Sequence, residues 1–340
     1  MSMGYAVIDQ LPTFGPDRCE RLSYEQATRY TRALTRSHYE NFTVASWLLP
    51  RHLRDPFSHV YAFCRWADDL GDETGDPARS LELLAWWRSE LDRCYAGEPR
   101  HPVFVAHRPT VEKYDIPRRP FDDLIDAFEQ DQRVTRYETW DAVLDYCSRS
   151  ADPVGRLVLY LCGYRDAERQ RLSDQTCTAL QLTNFWQDVR RDIVERGRVY
   201  IPAEVAGRHG LELERMVRTV QFDAGCERGG CRCGDVPDAG IRAALPAYRA
   251  TLNELVERTW PMFAEGRQLW PRVSPDVRLD IRLFTLGGEA ILRRIERRGY
   301  DTLTARPRLG RAAKLGLLLQ AVAGRLGVLV RPSARKEAYE

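Results

Sequence analysis

The chain has 340 residues, 44% of them hydrophobic and 29% charged, with a formal net charge of +2. These values fit a globular protein with a sizeable core and exclude wholesale nucleic-acid binding by charge. The basic residues are almost all Arg, the lysines being Lys113, Lys314 and Lys336, and the 9 cysteines sit mostly within apparent helices as small apolar residues.

In chain order, the opening "MSMGYAVIDQLPTFGP" lacks the charged start and apolar core of a secretion signal, so a cytoplasmic location with reduced thiols is expected. Apolar residues then recur at three- and four-residue spacing over 23–48, 56–72, 79–96, 120–131, 139–163, 173–195, 241–266, 276–298 and 308–327. Ser23 and Ser173 stand at N-cap positions of such runs. Breakers such as "GDETGDP", "AGEPRHP", "IPRRP" and "GRVYIP" separate them, and alternating β-branched runs hardly occur. The expectation is a single all-α domain spanning 1–340, with roughly ten helices by this periodicity. The Cys/Gly-rich segment 222–240 reads as a surface loop. Its Cys226, Cys231 and Cys233 lack the paired spacing of a zinc ribbon and are expected as free thiols. No apolar run is long enough to span a bilayer.

Two stretches carry acids on otherwise apolar helices. In "YAFCRWADDLGDE", Asp68 and Asp72 are four apart and share a helix face with Arg65 and Tyr61. In "QLTNFWQDVRRDIVERGRVYIP", Asn184, Asp188 and Asp192 are spaced four and four, with Gln181 about one turn earlier. Stacked carboxylates repel by a few tenths of a kcal/mol. They are tolerated either as solvated faces or around a cation, and Mg²⁺ fits because it takes one or two carboxylates together with substrate phosphates.

These stretches resemble the two aspartate motifs of the squalene/phytoene synthase family, and the resemblance runs from about Tyr24 to about Gln320. It implies the all-α isoprenoid synthase (class I terpenoid synthase) fold around a central cavity, with the motifs facing each other. It also implies an Mg²⁺–diphosphate role for Asp68, Asp72, Asn184, Asp188 and Asp192, with Arg65 and Gln181 beside it. A basic cluster near the C-terminus, here Arg311 and Lys314, contacts the diphosphate in that family. Several details resemble the bacterial hydroxysqualene synthase branch. "HYENFTVASWLLP" replaces a serine-bearing segment, placing His38, Asn41 and Phe42 near the substrate. Asp152-Pro153 stands where many relatives have Ala-Gly, and Gln187 where they usually have Arg. The departures at Tyr39, Asn41 and Gln187 speak against a second, donor diphosphate.

The implied reaction is ionisation of presqualene diphosphate, rearrangement of the cyclopropylcarbinyl cation and capture by water, with Mg²⁺ as Lewis acid on the leaving group. Phe42, Trp47, Tyr61, Tyr146, Phe185 and Trp186 are either cation-facing aromatics or plain core. Asn41 and Tyr146 are candidates at the hydroxylation step. No Gly-rich dinucleotide fingerprint is present, so no NADPH is expected. Two other expectations stay open: a family enzyme joining two prenyl diphosphates (a presqualene diphosphate, squalene or phytoene-type synthase), and a non-catalytic prenyl-lipid binding protein. The basic apolar segment 308–327 either lies on a membrane surface or turns Arg311 and Lys314 inward. Hand-over of substrate and product with other squalene-pathway enzymes is the expected partnership.

Overall fold

The computed structural model describes residues 6–37, 49–227 and 237–310, without the side chains of 226–227 and 237–239. His38, Asn41, Phe42, Trp47, Cys231, Cys233, Arg311 and Lys314 lie outside what is described, as do the side chain of Cys226 and the body of 308–327.

After helical turns at Ile8–Phe14, the named helices are α1 (Tyr24–Ser37), α2 (Arg54–Asp72), α3 (Pro77–Ala96), α4 (Pro102–Tyr114), α5 (Arg119–Asp131), α6 (Trp140–Ser150), α7 (Asp152–Leu161), α8 (Ala167–Arg191), α9 (Ala203–Arg208), α10 (Leu213–Glu227), α11 (Pro237–Gly266) and α12 (Pro275–Arg297). The described residues contain only two isolated β-bridges, so the all-α expectation holds.

Local chemistry sets the ends. Ser23 and Gln26 form a reciprocal capping box: the Ser23 hydroxyl accepts from the Gln26 amide at 3.3 Å and the Gln26 side chain accepts from the Ser23 amide at 2.8 Å. The run 139–163 is two helices, because Pro153 begins a new one after Ala151 leaves helical geometry. Ser173 is not a cap. α8 starts seven residues earlier, where the Asp166 side chain accepts from the Arg169 amide at 3.0 Å. Ser173 is instead buried where α7 crosses α8 at Gly155, and a Cβ there would run into Ser173 Oγ and Cys177 Sγ. The segment expected as a loop is helical at both ends, with Ala224 buried and Asp223 paired to Arg190 at 2.8 Å.

Two cores carry the two motifs. α2 belongs to an aromatic core with α3, α4 and α5, in which Trp66 stacks on Trp87 at 5.3 Å. α8 belongs to a second core with α6 and α9–α12, built on Trp186, Tyr248 and Phe263. α2 and α8 make no extended packing contact with each other. At the end away from the acids, Leu53, Leu172, Leu269, Val273, Val277 and Ile281 form a small cluster that joins them. The result is a cleft between two cores, apolar at its floor and acidic at its mouth. Asp188 and Leu172 are 16 residues apart on α8, about 24 Å along the helix axis.

Candidate active site

Helical periodicity puts one stripe of α2 and one of α8 on the cleft. On α2, Phe57, Tyr61, Cys64, Arg65 and Asp68 keep partial exposure, while Ala62, Phe63, Trp66 and Ala67 between them are buried. On α8, Cys177, Gln181, Asn184 and Asp188 keep exposure, while Leu182, Phe185 and Trp186 are buried. Burial nevertheless pushes the Cys64 and Cys177 thiols up to about 12. Side chains that retain surface yet are heavily desolvated line an internal space, and the stripe residues meet that description.

At the mouth the two motifs come together. Arg196, in the widened π turn Asp192–Arg196 that ends α8, lies 2.9 Å from Asp72 Oδ2 and 3.6 Å from Asp192 Oδ1. Gly197 (φ 66°) lets the chain reverse there, and Arg198 then donates to Asp72 Oδ1 at 2.9 Å. Arg65 pairs with the buried Asp69 and stands 3.6 Å from Asp68. Both carboxylate oxygens of Asp188 accept from Arg306. The adjacent Gln187 amide donates to the Pro307 carbonyl at 2.5 Å.

Charge crowding shows in the proton affinities. Burial and then the Asp72 charge push Asp68 up to about 7. Burial and then Asp188 push Asp192 to about 7 as well. A face that disfavours its own ionisation gains from any cation placed on it.

Tyr146 lies behind the acids. Its hydroxyl donates to Asp131 Oδ2 at 2.7 Å, Tyr200 reaches Asp131 Oδ1 at 3.4 Å, and Arg198 stands 3.4 Å from Asp131 Oδ2. Tyr200 stacks on Phe185 at 3.8 Å. Trp186 does not face the cleft. It is fully buried, stacked on Trp140, and its indole N–H donates to Thr259 at 3.0 Å.

The structure therefore brings Asp68, Asp72, Asp188 and Asp192 to one mouth, with Tyr61, Arg65, Gln181 and Asn184 along its walls and Tyr146 behind. Sequence reading missed Arg196, Arg198, Asp131, Tyr200 and Arg306. The two arginines follow the second motif directly, and their spacing to Asp192 was a usable signal. Asp131 closes α5 and Arg306 lies in an irregular segment, so neither carries a periodic signature.

The donor set is carboxylate and amide oxygen, which suits a hard divalent cation. Among the described residues no three His, Cys, Asp or Glu side chains are close enough to cage a metal.

This geometry has known counterparts. A hydroxysqualene synthase from Rhodopseudomonas palustris is 34% identical over 274 residues, covering 79% of this chain and 83% of that protein. A presqualene diphosphate synthase from the same organism is 29% identical, covering 82% and 92%. A solved squalene synthase from Alicyclobacillus acidocaldarius is 41% identical with a TM-score of 0.70, covering 82% of this chain and 96% of that one. The fold is the isoprenoid synthase fold. With residues 35–313 matching the squalene/phytoene synthase description and both acidic helices facing one cleft, the chain belongs to the squalene/phytoene synthase family.

Proposed function

We propose that the chain is a hydroxysqualene synthase that converts presqualene diphosphate, with water, to hydroxysqualene and diphosphate. Enzymes of this family generally use Mg²⁺ with prenyl diphosphate substrates. The observation that carries the finer reading is Gln187. It is neutral and buried, and its amide is spent on the Pro307 carbonyl. Gln187 itself brings no charge for a second diphosphate, so a substrate with one diphosphate fits better than two joined at the same mouth. The similarity to the Rhodopseudomonas palustris hydroxysqualene synthase supports the same reading.

Asp68, Asp72, Asn184, Asp188 and Asp192 would hold Mg²⁺, which when bound supplies Lewis acidity to the leaving diphosphate. The residues of the chain do the rest. Arg65 and Arg196, both at the mouth, offer guanidinium forks to phosphate oxygens. The apolar walls below the acids take the hydrocarbon chains and exclude bulk water, which would otherwise capture the cation early. Tyr61, one turn below Arg65, offers a ring face to positive charge, an interaction of about 0.5–2 kcal/mol. Tyr146 has its phenol pushed far above the usual range by burial, so it stays protonated, and its O–H is given to Asp131.

No NADPH is called for, because the reaction is redox-neutral. No described helix is long and apolar enough to cross a membrane. Surface attachment through 308–327 on the cytoplasmic side is part of this proposal. The test is mass spectrometry of products from presqualene diphosphate and, separately, farnesyl diphosphate, with Mg²⁺ and without NADPH. Hydroxysqualene from the first supports the reading; presqualene diphosphate, squalene or phytoene-type products from prenyl diphosphate pairs alone overturn it.

A further inference from the structure

Arg198 is buried, with its side chain 8% exposed, and stands between two carboxylates of different kinds. Asp72 faces the cleft mouth. Asp131 lies behind it and binds the hydroxyls of Tyr146 and Tyr200. The guanidinium is not needed to fix the local backbone. The Arg198 amide already donates to the Asp192 carbonyl at 3.1 Å, and the Val199 amide to Thr135 at 2.9 Å. Nor is stability a sufficient reason, since buried ion networks are often no more stable than apolar replacements of equal volume. What the pair does uniquely is join the acidic face to the tyrosine.

We propose that Arg198 and Asp131 form a positioning pair that sets the charge and placement of Asp72 together with the position of the Tyr146 ring. Neither residue touches the reacting atoms. A single nitrogen of Arg198, Nη1, stands 2.9 Å from Asp72 Oδ1 and 3.4 Å from Asp131 Oδ2, so each carboxylate limits how far the other pulls it. Asp131 in turn fixes Tyr146 through a 2.7 Å hydrogen bond, on a helix separate from both motifs. Loading the acidic face shifts the Arg198 share toward Asp131 and tightens the tyrosine in place. This rests on the site reading given above, in which Asp72 meets the cation and Tyr146 lies behind the acids.

The test uses Arg198→Lys, Asp131→Asn and their double variant, with Mn²⁺ titration of the protein alone as a first readout. Asp131→Asn hands the whole guanidinium to Asp72 and should weaken Mn²⁺ binding several-fold. In the Arg198→Lys background, where the bridge is already broken, the same Asn substitution should change nothing further. The second readout is turnover of the prenyl diphosphate that the wild type accepts. Each single variant should lose on the order of 10–100-fold in kcat, as small misplacements do, with KM changed by less than about threefold and the double no worse than the poorer single. Multiplying losses, a loss confined to KM, or independent Mn²⁺ effects would overturn the pair. If Arg198→Lys does not fold, the cycle of Asp131→Asn with Tyr146→Phe carries the same prediction. Coupled Mn²⁺ binding in a protein that turns over no prenyl diphosphate would uphold the pair and remove the functional reading instead.

Discussion

Asp72 of the first acidic stretch and Asp192 of the second share one guanidinium, that of Arg196, at 2.9 and 3.6 Å. Residues 120 positions apart in the sequence thus belong to one electrostatic unit. Each half belongs to a different hydrophobic core, so the unit forms only when both cores are assembled.

Removing one carboxylate from this mouth should remove function and leave the fold. Asp68→Ala and Asp188→Ala are each expected to lose at least about 100-fold in turnover, with the helical signal by circular dichroism unchanged. Both side chains keep surface on the cleft, so no core packing is lost. Near-normal rates at saturating Mg²⁺ in either variant would refute the metal-face assignment.

Arg306 covers both carboxylate oxygens of Asp188. Arg306→Ala should therefore bind Mn²⁺ several-fold more tightly in the absence of diphosphate, as followed by electron paramagnetic resonance. Unchanged or weaker binding would show that the pair does not compete with the cation.

Asp68 and Asp192 have folded-state values raised from 3.8 to about 7. Below that pH the folded metal-free protein holds protons that the unfolded chain has released. The contribution of these two groups to stability is therefore fully present below about pH 3.8 and is lost progressively as pH rises from there through about 7. A divalent cation must displace the same protons. Its apparent affinity should fall as pH drops from 8 to 6, by up to about tenfold per pH unit for each proton displaced. Calorimetric titration at three pH values measures this, and a pH-independent affinity would contradict it.

Asp280 on α12 is 3% exposed, and among the described residues neither of its carboxylate oxygens has a hydrogen-bond partner. Burial pushes it from 3.8 to about 7. At about 1.4 kcal/mol per pH unit, charging it in the fold costs at most about 4 kcal/mol at pH 8. Asp280→Asn removes that charge but leaves an unpartnered amide, so a gain of about 1–3 kcal/mol is expected at pH 8 and little change at pH 5. Urea unfolding at the two pH values measures both. Equal effects at both would mean that Asp280 is already paired.

The acidic stripes were legible because four-residue spacing on a helix is a rigid rule, and Asp68, Asp72, Asp188 and Asp192 obey it. α4 was not legible. Pro102 closes "AGEPRHP", which reads as a breaker, whereas it sits in the first turn, where its missing N–H has no partner to lose, and Pro109 is carried inside the helix. α9 and α10 follow "GRVYIP" and precede the Cys/Gly segment, and the charged, broken pattern of 203–227 hid the buried Val205, Met216, Val217 and Val220. For Trp186 the sequence leaves cavity aromatic and plain core both open, and the helical angle turns it to the core, where Thr259 satisfies its N–H. Asp131 and Arg306 could not be found from the sequence, since each reaches the site through tertiary contacts with no local pattern.

The most direct test of one acidic mouth serving one prenyl diphosphate is a single incubation. Purified protein, presqualene diphosphate and Mg²⁺ are combined without NADPH, and products are followed by mass spectrometry alongside released diphosphate. Hydroxysqualene and diphosphate in equal amounts, absent when Mg²⁺ is chelated, is the predicted result. An unchanged presqualene diphosphate pool, in a preparation that joins two farnesyl diphosphates, would contradict it.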